Sequence, residues 1–472
     1  MFKLVIPINR REGDMLDRAV IKKFREIAGD SVWTEEKDVM CYAYDAAFGE
    51  QCPPDVVAKP DTYEQVAQII RLCNTENIPL ITRGAGTNLS GGTVPAIKGG
   101  CVLLTTGLNR ILEINTEDMY AVVQSGTVTA DFAAAVAEKG LLYPPDPGSM
   151  KVSTIGGNVA ENAGGLRALK YGVTNDYLMG TKFFDMEGNL ITAGGRTVKL
   201  VTGFNLNGLM VSSEGLLGVM VEHIMKIVPP PQASKAMMVI FDDIMNACRA
   251  VSGIIAAKVT PATLELMDSF TIKTVEEATK IGLPVNADGL LLIEVDGHPE
   301  AVKDDFAAVE KICAGLGGKI QVAHDAAERD RVWEARRKAL SALARLRPTL
   351  ILEDATVPRS KIPDMMQSIQ DITKRYGLTI GTFGHAGDGN LHPTILTDKR
   401  DAEEMARVHK AVDEIFDKAL SLGGTISGEH GIGSAKAKYM EREVGRATIE
   451  YMRRLKAGID PKNLLNPHKM GL

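Results

Sequence analysis

Apolar positions along this 472-residue chain follow two rhythms, one returning every three to four residues and one of short continuous runs. The first predicts helices in "DMLDRAVIKKFREIAG" (14–29), "TYEQVAQIIRLCNTEN" (62–77), "AVKDDFAAVEKICAGL" (301–316) and "AEEMARVHKAVDEIFDKALSLGG" (402–424). The second predicts strands in "IPLITRG" (78–84), "CVLLTT" (101–106) and "AVVQSGTV" (121–128). Before them, the proline-bearing "CYAYDAAFGEQCPPDVVAKP" (41–60) reads as an extended lead-in. Glycine is dense from Gly84 to Gly218, and the triple proline from Pro229 breaks the chain at an expected domain boundary. Beyond it, strand-like "KAMMVIFDD" (235–243), "PATLELMD" (261–268), "GLLLIEVDG" (289–297) and "KIQVAHD" (319–325) alternate with helical stretches. That order predicts an α+β sheet domain covered by helices. A last helix is expected to end in "LNPHKMGL" (465–472). The expected layout is a lead-in (1–49), a glycine-rich domain (50–228), a sheet domain (229–410) and a C-terminal segment (411–472) packing back on the glycine-rich part.

Composition narrows the function classes. The chain is 45% apolar and 24% charged with a net charge of −6, which is ordinary globular composition and no footprint for nucleic acid. Its six cysteines are scattered without a C-x-x-C pair, which excludes the usual local iron–sulfur and zinc-ribbon spacings and gives no disulfide framework. The opening "MFKLVIPINRREGD" has too short an apolar run for a signal peptide, and no stretch has the roughly 18 uninterrupted apolar residues of a membrane span. A cytoplasmic protein with no integral membrane segment is expected.

The first glycine cluster, "ITRGAGTNLSGGTVPAIKGG", follows a strand, yet the third position of a G-x-G-x-x-G pattern is Leu89 and Pro95 opposes a following helix. No G-K-[ST] occurs either, so a phosphate-binding nest of backbone N–H groups without a helix remains. The second cluster, "PPDPGSMKVSTIGGNVAENAGGLRALKYGVTNDYLMG", carries the pairs Gly156–Gly157 and Gly164–Gly165, and "NGLMVSSEGLLGVMVEHIMKIVP" follows. Together these segments resemble the FAD-binding half of the vanillyl-alcohol-oxidase-type flavoproteins. The resemblance implies that Arg83, Gly84, Ala85, Gly86, Thr87 and Asn88 hold the FAD diphosphate. It implies that Pro145, Gly156, Gly157, Asn162, Ala163 and Gly165 wrap the flavin and ribityl chain, with Glu214, Gly218 and Val219 along the cofactor. Members with covalent flavin often carry a histidine in the first loop, where this chain has Thr87 and Asn88, so FAD is expected without a covalent bond.

Two of the eight histidines stand out. "LTIGTFGH" and "LHPTIL" are strand-like around the turn "AGDGN", so a hairpin would bring His385 and His392 to one end. Glu429 in "TISGEHGIG" offers a third ligand, and two histidines plus one carboxylate with an open position suit a catalytic divalent cation such as Zn, Fe or Mn. On a regular strand Glu429 and His430 would point to opposite faces, whereas Gly428 and Gly431 permit a bend that lets both reach one pocket. His430 then remains as a general base for a 2-hydroxy acid, and Arg336 in "DRVWEARRKAL" is placed to bind its carboxylate. The bland alternative makes Arg336, Arg337 and Lys338 a solvated helix face. His223, His298, His324, His409 and His468 read as structural.

"VWEARR", "EDATVPRSKIPDM", "GHAGDGNLHPTIL", "SGEHGIG" and "DPKNLLNPHKM" together resemble the FAD-linked D-2-hydroxy-acid dehydrogenases, the branch of D-lactate dehydrogenases and the glycolate oxidase FAD subunit. That resemblance implies a two-part FAD domain plus an α+β cap with an antiparallel sheet. It implies His385, His392 and Glu429 as metal ligands, His430 as base, Arg336 on the carboxylate and Asn466 near the flavin. A related 2-hydroxyglutarate branch has an Asn and a Lys where this chain holds Thr394 and, near Asp354, Leu352 and Glu353, leaving fewer groups for a second carboxylate and favouring D-lactate or glycolate. With no cysteine cluster, electrons must leave to an outside acceptor, expected to be an electron-transferring flavoprotein or an iron–sulfur subunit. Two rivals keep the fold: a non-catalytic FAD-carrying subunit, and flavin-dependent lipid ether synthesis.

Overall fold

The computed structural model describes residues 16–49 and 51–472; the stretch read for a signal peptide and the first two residues of the first expected helix lie outside the described residues. That helix runs Arg18–Ala28 behind an Asp17 cap. The second runs Tyr63–Glu76 and shows why the sequence stops and starts it there. Thr62 and Gln65 form a reciprocal capping box, and Asn77 closes the other end in the left-handed region at φ 54°.

Among the described residues, three sheets organise the chain. The first holds β1 (Val32–Trp33), β2 (Val56–Ala58), β3 (Leu80–Arg83) and β4 (Cys101–Leu104) in the order β1-β2-β4-β3, with β4 parallel to both β2 and β3. The second is antiparallel: β5 (Ile111–Asn115), β6 (Tyr120–Gln124), β7 (Leu178–Phe184), β8 (Leu190–Gly194) and β9 (Val219–Lys226) lie in the order β5-β6-β9-β7-β8. After β9 the prolines at 229–231 carry the chain into the third sheet.

That sheet comprises β10 (Ala233–Phe241), β11 (Thr263–Asp268), β12 (Gly289–Gly297), β13 (Lys319–Val322), β14 (Thr349–Leu352), β15 (Ala355–Thr356), β16 (Thr379–His385) and β17 (Asn390–Thr397). Its order is β13-β10-β12-β11-β16-β17-β14, with β15 also on β17 and every pairing antiparallel. Alternate residues of one strand feed two cores. Met237, Val239 and Phe241 of β10 pack with the helices Ile244–Ala256, Pro299–Gly315, Ile362–Tyr376 and Ala402–Ser421. Met238 and Ile240 face the other way, toward Trp333, Ala335 and Ala339 of the helix Ala326–Leu343. The sheet is therefore covered on both faces, which is why its strands read as unbroken apolar runs.

The end of the chain returns to the first half. Leu80 N–H donates to Leu464 (2.7 Å) and Asn466 N–H to Leu80 (2.8 Å), so the tail lies beside β3. The last helix ends at Ile459, not in the closing residues as expected. Pro461 and the left-handed Asn463, Asn466, His468 and Met470 turn the tail into an irregular strap whose residues 464–467 and Lys469 are buried. Lys170 pairs with Asp296, and Tyr171 Oη donates to Asp296 Oδ2 (2.6 Å), linking the glycine-rich part to β12. Among the described residues no helix is long and apolar enough to cross a membrane.

Candidate active site

A cavity of about 520 Å³ lies where these parts meet. Gly84, Ala85, Gly86, Thr87 and Asn88, directly after β3, line it together with Gly156, Gly157, Ala163, Glu214 and Gly218. Gly156 and Gly157 open the helix Ile155–Glu161, capped by Thr154 through a 3.3 Å bond to Gly157 N–H. There is no space for side chains under this wall: a Cβ on Gly156 would stand 2.6 Å from Ser125 Cβ, and one on Gly84 2.4 Å from Thr154 Oγ1. The backbone itself is the surface, which suits close approach to a dinucleotide.

Six residues expected at or near the cofactor do not themselves line the cavity. Arg83 turns away to donate to the Tyr44 carbonyl (2.8 Å). Asn162 ends the helix Ile155–Glu161 in the left-handed region and accepts from Asn175 N–H (2.9 Å), while Gly165 packs on the Asp146 backbone. Pro145 and Val219 are buried in the packing beneath. Asn466 donates to the carbonyls of Gly92 (2.8 Å) and Glu214 (2.7 Å), tying the C-terminal strap to the wall. A motif fixes a neighbourhood, and the backbone direction decides which of its members face inward.

The hairpin forms as the pattern predicts. Phe383 pairs with His392 and His385 with Asn390, so Phe383, His385 and His392 share one face. Glu429 arrives from the irregular stretch after the helix Ala402–Ser421. Its Oε1 lies 3.1 Å from His385 Nε2 and 3.4 Å from His392 Nε2, and each of the three residues offers a donor atom within 4.8 Å of the other two. The bend at Glu429–His430 needs its glycines. Gly431 sits at φ +80° with Glu161 against it, and a Cβ on Gly428 would meet Thr356 Oγ1 at 2.2 Å. His430 lies in the cavity wall, its ring stacked on His392 at 5.0 Å and 9°. This donor set, two imidazole nitrogens and one carboxylate oxygen facing a cavity, fits a divalent cation that keeps an open position.

Buried carboxylates support the corner from behind. Glu265, fully buried on β11, lies 2.8 Å from His385 Nδ1 and accepts from Arg336 Nε at 2.6 Å. Asp354, also fully buried, accepts from the backbone N–H of Glu429 and of His430 (2.9 Å each) and from Ser427 Oγ (2.9 Å). Burial alone would push Glu265 and Glu429 upward. The His385 charge, joined by Arg336 at Glu265 and by His392 at Glu429, outweighs it and holds both carboxyls below their ordinary value. Burial opposes the charge on His385, yet Glu265 and Glu429 win and raise it well above the usual imidazole value. His430 goes the other way: burial, against the pull of Asp354, lowers it to about 4, leaving a neutral ring near pH 7.

Arg336 is buried at the cavity wall with its guanidinium 4.7 Å from the Phe383 ring centre, whereas Arg337 is exposed but also lines the cavity, and Lys338 points to solvent. The solvated-face alternative therefore holds for Lys338 and in part for Arg337, and fails for Arg336. Sequence reasoning missed Glu265 and Glu161, the latter a cavity-lining acid that accepts from Asn88 Nδ2 (2.6 Å). Both carried a signal: an acidic residue inside the apolar "TLELM" run, and another among the small residues of "NVAENAGG".

Comparison with known proteins agrees with this architecture. Residues 54–194 match the FAD binding domain and residues 230–470 the C-terminal domain of FAD linked oxidases. The chain is 50% identical to the glycolate oxidase subunit GlcD of Bacillus subtilis over 91% of its own length and 92% of that protein. It is 33% identical to a D-lactate dehydrogenase of Anaerostipes hadrus, covering 96% of this chain and 97% of that one. The fold superimposes on p-cresol methylhydroxylase with a TM-score of 0.80 at 18% identity, over 96% of each chain. The chain thus belongs to the FAD-linked oxidases of the vanillyl-alcohol-oxidase type, in the branch of the glycolate oxidase FAD subunit and D-lactate dehydrogenase.

Proposed function

We propose that this flavoenzyme oxidises a small D-2-hydroxy acid, D-lactate or glycolate, to the 2-oxo acid, with non-covalent FAD and one divalent cation. The observation that carries the reading is the meeting of His385 Nε2, His392 Nε2 and Glu429 Oε1 beside neutral His430, on a cavity that the glycine backbone also lines. His385, His392 and Glu429 would hold the cation. When bound, the cation supplies a Lewis-acid centre for the substrate hydroxyl and FAD a two-electron acceptor for its C2 hydrogen. His430 takes the hydroxyl proton, and its low basicity keeps it free to do so at neutral pH. Arg336 is anchored through Nε, which leaves the terminal nitrogens of its guanidinium for the substrate carboxylate. Leu340, Leu352 and Phe383 add an apolar wall that suits a short side chain and excludes water.

The electrons leave to a partner protein, an electron-transferring flavoprotein or an iron–sulfur subunit, and the reaction runs in the cytoplasm. That the similar GlcD protein is called a subunit supports the partner. One observation favours a second reading, 2-hydroxyglutarate oxidation: exposed Arg337 also reaches the wall and offers a second carboxylate a charge. Against it, Thr394 spends its hydroxyl on the His392 carbonyl (3.2 Å).

Anaerobic mixing tests the proposal. D-Lactate or glycolate should bleach the bound flavin, and prior metal removal by chelator should abolish bleaching until cation is restored. Bleaching that survives complete metal removal, or that 2-hydroxyglutarate drives far better, overturns it.

A further inference from the structure

Two carboxylate oxygens of Glu265 face two different parts of the site: Oε1 meets His385 Nδ1 at 2.8 Å and Oε2 meets Arg336 Nε at 2.6 Å. The residue is fully buried. It reaches this place through sheet register. β11 pairs with β16 at Leu266↔Gly384, and alternation turns Leu264 and Leu266 into one core while Glu265 faces the hairpin and the helix that carries Arg336. From these contacts we infer that Glu265 is a positioning residue that sets the tautomer of His385 and the aim of Arg336 together, coupling the cation's seat to the substrate's anchor. The inference rests on the function proposed above.

The chemistry is one of donors and acceptors. An ionised carboxylate has acceptors only, so it can take Nδ1–H from His385 and Nε–H from Arg336 at once. With the Nδ1 proton held by Glu265, the proton that a bound cation displaces is the one on Nε2, and Nε2 is the atom that faces Glu429. Arg336, held by Nε and stacked on Phe383, cannot swing away from the cavity. A carboxamide at position 265 could not serve both partners, because it has one carbonyl oxygen and one NH2 group. Whichever way it turned, the NH2 would confront a donor. Facing His385, it would force the ring proton onto Nε2 and block the cation; facing Arg336, it would push the guanidinium aside.

Glu265→Gln in the FAD-loaded full-length protein is the test, read by Zn²⁺ affinity against a chelator dye and by KM and kcat for D-lactate. FAD content and melting temperature check that the fold is kept. Zn²⁺ affinity should fall about 10–100-fold, or KM should rise by a similar factor, according to the side the amide takes. A second variant sharpens the outcome. In E265Q/R336M the competing donor is gone, the carbonyl can turn to His385, and Zn²⁺ affinity should recover while KM stays high. Loss of packing alone would not produce that recovery.

If E265Q does not fold, histidine ¹⁵N spectra of the Zn²⁺-loaded wild type decide: His385 must carry its proton on Nδ1, and the opposite tautomer overturns the inference. E265Q matching wild type in both Zn²⁺ affinity and KM overturns the inference and leaves the proposed function standing. A wild type that takes up no Zn²⁺ overturns the metal reading and this inference with it.

Discussion

On one part of the cavity wall Gly84, Gly86, Gly156 and Gly157 present backbone; on another His385, His392, Glu429 and His430 present side chains. The glycine wall comes from two segments that each follow the chain locally, a loop after β3 and the start of a helix. The histidine corner draws on a hairpin, a bend some forty residues later, and carboxylates on β11 and just before β15. The first part is a matter of space, in which adding an atom does harm. The second is a matter of donor chemistry, in which exchanging one nitrogen or oxygen does harm while volume is kept. The two parts should therefore fail differently under substitution.

The largest effect is expected in the corner. His430→Asn keeps the bulk of the ring but removes the base, so kcat for D-lactate should fall about 10²–10⁴-fold with FAD content unchanged. An equal loss of FAD would show that the two parts are not separable. Gly156→Ala should do the reverse. Its new Cβ, 2.6 Å from Ser125 Cβ, costs about 1–3 kcal/mol of stability and is relieved only by moving the wall, so the melting temperature should drop and FAD should bind more weakly while Zn²⁺ uptake persists.

A smaller, pH-dependent effect belongs to the cofactor half. His223 is fully buried beside Ser125 Oγ (2.9 Å), and burial lowers it to about 3 from its ordinary 6.5. The unfolded chain therefore takes up a proton below pH 6.5 that the native ring refuses. Its contribution to stability is intact above that pH and declines by about 1.4 kcal/mol per unit as pH falls toward 3. Melting temperatures of wild type and His223→Gln between pH 7 and 4 check this: the variant should lose less on acidification, and parallel curves would refute it.

The same contrast explains what could be read from the chain. The glycine wall was visible because its signal is local composition, and the hairpin because "AGDGN" sits between two apolar runs whose register then fixes the shared face of His385 and His392. Glu265 was not visible as a partner of His385, because that contact depends on β11 pairing with β16 more than a hundred residues away. Asp354 was visible only as a landmark; its work, accepting two backbone N–H groups of the Glu429–His430 bend, needs the bend to exist first. Resemblance named Asn162, Gly165 and Asn466, whose hydrogen bonds and packing beside the cavity depend on the folded backbone. The tail read as the end of a helix, yet Pro461, Asn463, Asn466, Pro467 and Gly471 are turn residues, and four positions adopt left-handed backbone as the chain runs beside β3.

The central claim is that one cation sits among His385, His392 and Glu429, and anomalous diffraction from crystals grown with Zn²⁺ tests it most directly. The account predicts a single strong peak bounded by His385 Nε2, His392 Nε2 and a Glu429 oxygen, with His430 unligated beside it. A peak instead on the neighbouring set of Asp354, His392 and His430, or no peak in the cavity at all, would contradict it.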